Sequence, residues 1–151
     1  MKVTRTIVIT SLSIVILLVG GIYIFTKFVY NNKSCDFMNI DNIELRANIN
    51  IPSVTNCSCN YDKRKDEKNI VFDIDTTIVD LSNYVSTWIF KKIDLRKFTS
   101  FDDFLILEHN RNDSNVESDF YFRQGSYKGN VYKMLLNRKS GRLWIFLKYA
   151  D

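Results

Sequence analysis

The order of apolar and polar residues divides the chain into one long apolar run and a remainder of shorter patterned segments. No charged residue interrupts the 21 positions between Arg5 and Lys27. A helix needs about 20 predominantly apolar residues to cross the hydrocarbon core of a bilayer. We therefore expect a transmembrane signal-anchor helix at residues 6–26, in contact with the lipid bilayer and preceded by an N-terminal segment, 1–5.

The next part of the chain alternates apolar and polar residues. A polar tether, 27–41, precedes a segment in which Ile43, Leu45, Ala47, Ile49 and Ile51 alternate with polar residues, which predicts a strand with one buried face. Pro52 ends this strand, and residues 53–60 are predicted to form a turn. A charged loop, 62–69, then leads to a second strand at 70–74.

The period changes after the second strand. Leu81, Tyr84, Val85, Trp88 and Ile89 follow the spacing of one apolar helix stripe, which predicts a helix over 78–93. Thr77 and Asp80 resemble a capping box at its start. Four strands follow at 103–109, 120–124, 131–136 and 143–149, and the short Gly- and Asn-containing connections between the last three indicate antiparallel hairpins.

These elements predict an α+β protein with an N-terminal transmembrane helix and one extracytoplasmic domain, 42–151. We expect a curved antiparallel sheet packed on a single helix, built from two strands, the helix and a four-stranded meander. This order of elements is similar to that of cystatin-like and other helix-on-curved-sheet domains. The resemblance concerns element order alone and implies no function.

Several features place the predicted domain outside the cytoplasm. A cleaved signal peptide would need a small-residue site after the apolar run, whereas the first alanine is Ala47. The first cysteine, Cys35, lies too far beyond the run for a lipoprotein. Lys2 and Arg5 precede the run without any acidic residue, which favours a cytoplasmic N-terminus. We expect a single-pass protein of a bacterial inner membrane, with its C-terminal domain periplasmic or extracellular.

The charge of the predicted domain argues against nucleic acid as a partner. Because only Lys2 and Arg5 precede residue 27, 19 of the 21 basic residues and all 17 acidic residues follow the apolar run. The remainder of the chain therefore carries a net charge of +2. A nucleic-acid-binding surface would need a stronger basic excess.

Three cysteines between residues 35 and 59 suit an oxidising compartment. Cys35 is expected to form a disulfide with Cys57 or Cys59, whereas a bridge between Cys57 and Cys59 would be strained. The third thiol would be reactive or form an intermolecular disulfide. The three thiolates and His109 have ligand types that zinc accepts, but only the Cys-x-Cys part has a metal-site spacing, so the disulfide is preferred and no cofactor is expected.

A hydrophobic strand runs into Asp73, Asp75 and Thr77, an Asp-x-Asp-x-Thr sequence that resembles the first motif of the haloacid dehalogenase-like phosphatases. The resemblance implies that Asp73 would be the nucleophile and Asp75 the general acid and base, with Mg²⁺ at the site, on a parallel sheet. It covers about 11 residues. The segments that follow read as antiparallel hairpins, so a Mg-dependent phosphatase stays a remote alternative.

With an enzyme disfavoured, we expect a membrane-anchored protein-binding module. An immunity protein that neutralises a periplasm-acting toxin is the preferred form, and an accessory subunit of an envelope or secretion complex is the alternative. Loops on a rigid sheet usually carry recognition. The candidate partner contacts are basic residues of the predicted loops: Lys63, Arg64, Lys65, Arg111, Arg138, Lys139 and Arg142.

Overall fold

The computed structural model describes residues 2–35, 39–94 and 119–150. Over these residues the chain forms three helices and six strands. The helices are α1 (Lys2–Asn31), α2 (Asn39–Ala47) and α3 (Leu81–Thr87). The strands are β1 (Val54–Asp62), β2 (Glu67–Ile74), β3 (Lys91–Ile93), β4 (Phe120–Tyr127), β5 (Asn130–Asn137) and β6 (Arg142–Lys148). The predicted α+β class is confirmed.

All six strands form one antiparallel sheet in the order β1-β2-β6-β5-β4-β3. Three consecutive strands, β4, β5 and β6, form a meander, and β2 pairs with β6 to attach the β1–β2 hairpin to it. The turns between the strands lie at two opposite ends of the sheet. The turns 63–66 and 128–129 lie at the end where α1 joins the domain, which we call the helix end. The turn 138–141 lies at the opposite end, which we call the far end.

The main core lies on the sheet face that α2 and α3 cover. In β2 every second side chain points to it, and Ile70, Phe72 and Ile74 are buried, as the period of two predicts. The helices contribute Ile43 and Ala47 from α2 and three apolar side chains from α3. This burial of apolar surface from both layers is the main force that holds helices and sheet together.

The opposite face of the sheet carries a second, smaller buried cluster. It consists of Phe122, Leu135, Trp144 and Phe146. As a result, the central strand β6 is buried on both faces from Leu143 to Leu147, which explains its continuous apolar sequence. The predicted strands at 120–124, 131–136 and 143–149 overlap β4, β5 and β6. The strand predicted at 103–109 lies outside the described residues.

The strand predicted over Ile43–Ile51 is wrong, because residues 39–47 form α2. Ile43 and Ala47 are four residues apart, a spacing that fits one face of a strand and also one face of a helix. The buried side chains Asn42 and Arg46 are polar, so a pattern of hydrophobicity assigns them to the surface. Their burial depends on hydrogen bonds to α1, which an analysis of local periodicity does not detect.

The turn predicted at 53–60 is also wrong, because most of it belongs to β1. This strand carries small polar residues and is largely exposed, so it lacks the alternation that marks a half-buried strand. Its place is set by backbone pairing with β2, from Val54 opposite Ile74 to Asp62 opposite Glu67. The charged loop is correspondingly shorter than predicted, at 63–66.

The helix predicted over 78–93 is present only as the seven-residue α3. Asp80, and not Thr77, caps it, because the Asp80 side chain accepts the N–H groups of Ser82 and Asn83 at 2.9 and 3.1 Å. The helix ends early because Ile89 adopts a left-handed backbone conformation, with φ of 55°. Ile89 is consequently 75% exposed and not part of the core.

The apolar run forms the long helix α1. Its segment Ile9–Asn31 is long and apolar enough to span a membrane. Its described side chains from Ile7 to Phe28 are almost all exposed, whereas the next residue, Val29, is 2% exposed. Among the described residues, the contacts between the domain and α1 lie at the C-terminal end of the helix.

Candidate functional site

The predicted basic contact residues are divided between the two ends of the sheet. Lys63, Arg64 and Lys65 form the exposed tip of the β1–β2 turn at the helix end. Arg138, Lys139 and Arg142 lie at the far end, and Arg111 lies outside the described residues. The structure therefore does not bring the two described groups together on one surface.

The far-end arginines are held by acidic residues. Arg138 Nε lies 2.6 Å from an Asp119 carboxylate oxygen, and Arg142 Nε lies 2.8 Å from Asp73. Partial burial acts to raise the pKa of Asp119, but hydrogen bonds from Arg138 and Lys92 lower it below its usual value. Lys139 is exposed at the tip of the turn. Of the three far-end residues, Lys139 is thus best placed to meet a partner.

The turns 63–66 and 138–141 share one local structure. The residue before each turn, Asp62 or Asn137, accepts two backbone N–H groups of the turn with its side-chain oxygen. The last residue of each turn, Asp66 or Gly141, has a positive φ. Arg64 and Lys139 therefore occupy equivalent positions at opposite ends of the sheet.

The two carboxylates of the Asp-x-Asp-x-Thr sequence have separate partners. Asp73 lies in β2 and binds Arg142 of β6. Asp75 follows β2, and hydrogen bonds from the backbone and hydroxyl of Thr77 lower its pKa. Both neighbours of β2 are antiparallel to it. This setting differs from the parallel sheet that the phosphatase resemblance implies.

Cys35 forms a disulfide with Cys59, which resolves the two expected pairings. Cys57 lies two residues earlier in β1, is exposed and is not part of this bridge. The bridge uses two of the thiolates that the zinc alternative required, and His109 lies outside the described residues. Within the described residues, no cluster of three or more His, Cys, Asp or Glu side chains suited to a metal ion is found.

A cluster of hydrogen-bonded polar side chains lies where α1 meets the domain. The last carbonyl groups of a helix lack partners within the helix. Here Asn42 donates to the carbonyl oxygens of Val29 and Tyr30, at 3.0 Å each. Arg46 donates to the Tyr30 carbonyl through Nε and Nη2, at 3.0 and 2.7 Å. The domain thus supplies the C-terminal cap of α1.

The same two side chains are bound to the sheet. Arg46 Nη1 lies 2.7 Å from the Asn130 side-chain oxygen, and the Tyr149 hydroxyl donates to Asn42 at 2.7 Å. The Arg46 guanidinium also lies 3.9 Å from the centre of the Tyr30 ring, within cation–π distance. Because Arg46 is positively charged, it also interacts favourably with the dipole of α1. We call Tyr30, Asn42, Arg46, Asn130 and Tyr149 the junction cluster.

The chain that leaves α1 is fixed beside the junction cluster. Lys33 forms an ion pair with Asp66, and Lys68 donates to the Ser34 carbonyl at 2.8 Å. Burial of Tyr61 and its hydrogen bond to Asp66 raise the pKa of Tyr61 to about 12. For Asp66, partial burial opposes the hydrogen bonds from Lys33 and Tyr61, and these bonds lower its pKa. Residues 32–35, expected to belong to a tether, are therefore held by the domain.

Sequence reasoning missed the edge strand β1. It is nine residues long and pairs with β2 on one side, and no described strand pairs with its other side. Its residues 54–61 carry no charge, and Thr55, Asn56, Cys57 and Ser58 are exposed. An unpaired strand edge offers backbone donors and acceptors to another chain. The sequence shows that residues 54–61 lack Lys, Glu and Pro, but this absence indicates an unprotected edge only once the segment is known to be an edge strand.

Comparison with known proteins gives no match to a family model, to a curated protein or to a solved structure.

Proposed function

We propose that this chain is a membrane-anchored binding module whose domain lies outside the cytoplasmic membrane and binds a protein partner through its edge strand β1. The contrast between the two edges of the sheet carries the proposal. Natural sheets protect their edges by keeping edge strands short or by placing lysines on them. β1 has neither form of protection along residues 54–61.

The opposite edge strand, β3, has both forms of protection: it is short and it carries lysines. β3 is three residues long, and two of these residues are Lys91 and Lys92. Beside it, β4 is contacted by α2. Among the described strands, one edge is thus short and carries lysines, whereas the other is nine residues long and lacks lysine along residues 54–61. This asymmetry fits recognition by strand addition, in which main-chain hydrogen bonds provide affinity and side chains provide specificity.

The anchoring and compartment rest on α1 and the disulfide. α1 has the length and composition of a membrane-spanning helix, and the disulfide between Cys35 and Cys59 suits an oxidising compartment. The basic residues Lys2 and Arg5 favour a cytoplasmic N-terminus. The partner would then be met in the periplasm or outside the cell. The preferred partner is a toxin that acts there, neutralised as an immunity protein does, and the alternative is a subunit of an envelope or secretion complex.

The experiment is crosslinking of the full-length protein in its own membranes, followed by capture and mass spectrometry. The double variant Asn56→Lys and Ser58→Lys places two lysines on the exposed edge strand and should abolish capture of the partner. The matched control, Ser86→Lys and Thr87→Lys, adds the same charge at exposed positions of α3 and should capture it normally.

A single secreted toxin-like partner supports the immunity form, and a set of envelope subunits supports the accessory form. Undiminished capture by the β1 variant would refute binding through β1. In a protection assay, loss of the gene should sensitise cells to the neighbouring toxin, and unchanged survival would refute the immunity form.

A further inference from the structure

The helix end of the sheet carries an exposed basic surface next to the site where α1 leaves the domain. Two turns form its tips. Lys63, Arg64 and Lys65 lie in the β1–β2 turn, and Lys128 lies in the β4–β5 turn. The second turn has two central residues with positive φ, Lys128 and Gly129, which makes it a tight type I′ hairpin turn with Lys128 at its tip.

Both turns are tied directly to the end of α1. Asp66 of the first turn pairs with Lys33, two residues after α1. Asn130, which follows the second turn, binds Arg46, and Arg46 binds the Tyr30 carbonyl. Tyr149 N–H donates to the Asp66 carbonyl at 3.0 Å and connects the end of β6 to the first turn. The positions of the turns relative to α1 are therefore fixed by contacts.

The acidic residues of the same hairpins are engaged by other groups. Asp62 accepts backbone N–H groups of its own turn, Asp66 binds Lys33 and Tyr61, and Glu67 pairs with Lys148 at 3.0 Å. The four turn cations are exposed, and none of them forms an ion pair with an acidic side chain of these hairpins among the described contacts. At the far end, by contrast, the acids Asp73 and Asp119 bind the arginines.

The length of α1 places this surface at the level of lipid headgroups. The apolar run ends at Thr26, and Asn31, the last residue of α1, lies five residues later, or roughly 7.5 Å at 1.5 Å per residue. The headgroup layer extends about 5–7 Å beyond the hydrocarbon core on each side. A domain bonded directly to Tyr30 therefore begins within that layer or at its outer boundary.

We infer that the helix end of the domain binds anionic phospholipid headgroups through Lys63, Arg64, Lys65 and Lys128. This inference rests on the proposed membrane anchoring by α1. Basic residues beside a membrane-spanning helix are attracted to anionic lipid over about one Debye length. The contact would hold the sheet in one orientation, with the far end directed away from the bilayer and the β1 edge accessible from the side.

The test uses the full-length protein in nanodiscs of purely zwitterionic lipid or of a mixture rich in anionic lipid. An amine-acylating reagent is applied, and acetylation of each lysine is followed by mass spectrometry. We expect acylation of Lys65 and Lys128 to slow by about threefold in the anionic discs and to recover at high salt. Lys139, at the far end, is the internal control and should react equally in both.

A matched pair of variants separates surface charge from general effects. Arg64→Glu and Lys139→Glu make the same charge change at equivalent turn positions. Arg64→Glu should remove most of the lipid-dependent protection of Lys128, and Lys139→Glu should leave it intact. Equal acylation in the two lipids, with the protein inserted, would overturn this inference alone. A protein that does not insert into nanodiscs would overturn the anchoring and this inference together.

Discussion

Ile89 ends helix α3 in a backbone conformation that a β-branched side chain rarely adopts. The N–H groups of Ile89 and Phe90 bond the carbonyls of Ser86 and Val85, at 3.3 and 3.0 Å, which is the Schellman arrangement at a helix C-terminus. The accompanying apolar contact joins the Phe90 and Tyr84 rings, whose centroids are 5.9 Å apart. Glycine is the usual residue at the position of Ile89, since it has no Cβ to cause strain.

Ile89→Gly should therefore stabilise the domain. The side chain is 75% exposed, so little burial is lost, and release of the left-handed strain should add about 1 kcal/mol to the free energy of unfolding. Denaturant unfolding followed by tryptophan fluorescence measures this change. Ile89→Ala is the control, because it keeps Cβ and should bring no gain. Equal stabilities of the glycine and alanine variants would contradict the strain.

Tyr61 makes the stability of the domain sensitive to alkaline pH. Its pKa is about 12 in the folded state against 10.0 in the unfolded state. A raised folded-state pKa contributes stability that is fully present below pH 10 and is lost as the pH rises through 12. The difference corresponds to about 3 kcal/mol at most, and screening by solvent reduces this to about 1 kcal/mol.

Tyr61→Phe removes this titration. The variant should lose about 1 kcal/mol at neutral pH, since the hydrogen bond to Asp66 is gone. Between pH 10 and 12 its stability should fall less steeply than that of the unmodified protein. Unfolding free energies measured at several pH values check both effects, and two parallel curves would show that Tyr61 does not titrate in this range.

At the scale of elements, the junction cluster makes α1 part of the folded domain. Arg46 is 3% exposed and connects the α1 carbonyls to β5. Arg46→Leu should cost about 3 kcal/mol, because it leaves buried acceptors without their charged donor. Arg138→Leu removes a partly exposed ion pair and should cost about 1 kcal/mol or less. The two variants are compared by tryptophan fluorescence during unfolding in detergent.

If the connection between α1 and the domain were flexible, the two variants would differ little in their free energies of unfolding. Arg46→Leu would then loosen α1 without changing the unfolding of the sheet, which contains Trp144. Equal, small losses for Arg46→Leu and Arg138→Leu would therefore contradict a rigid junction.

A comparison of β2 with α2 shows where the periodicity of apolar residues is sufficient to predict an element and where it is not. In β2 the alternation of Ile70, Phe72 and Ile74 arises from burial against one apolar layer, and the strand was predicted. In α2 the buried face includes Asn42 and Arg46, whose partners are carbonyls of another helix. Because that pairing is tertiary, local apolar spacing predicted a strand there. The membrane-length helix could be predicted because its signal is composition and length.

At the scale of the whole molecule, the candidate site depends on how distant segments meet. The basic residues of the predicted loops were identified from sequence, but their division between two ends of the sheet follows from the strand order. Exposure of β1 on an edge likewise depends on β2 pairing with β6, 69 residues apart for Asp73 and Arg142. Local periodicity in the sequence does not predict a pairing between strands so far apart.

The disulfide between Cys35 and Cys59 joins the exit of α1 to β1 across a separation of 24 residues. A bridge that closes a loop of this length stabilises by about 3 kcal/mol, mainly through the entropy of the unfolded chain. Cys59→Ser should therefore cost about 3 kcal/mol and free Cys35. Cys57→Ser changes the neighbouring exposed cysteine, which is not part of the bridge, and should leave the bridge intact. Peptide mapping without reductant and denaturant unfolding measure the two effects.

Bridge formation in cells also depends on the compartment. In protein trapped with an alkylating reagent at harvest, Cys35 and Cys59 should be oxidised if the domain faces an oxidising compartment. Recovery of both as alkylated thiols, from protein whose isolated form oxidises readily in air, would place the domain on the cytoplasmic side. The proposed partner is met in the same oxidising compartment, so this result would refute both the proposed location of the domain and the proposed periplasmic or extracellular partner.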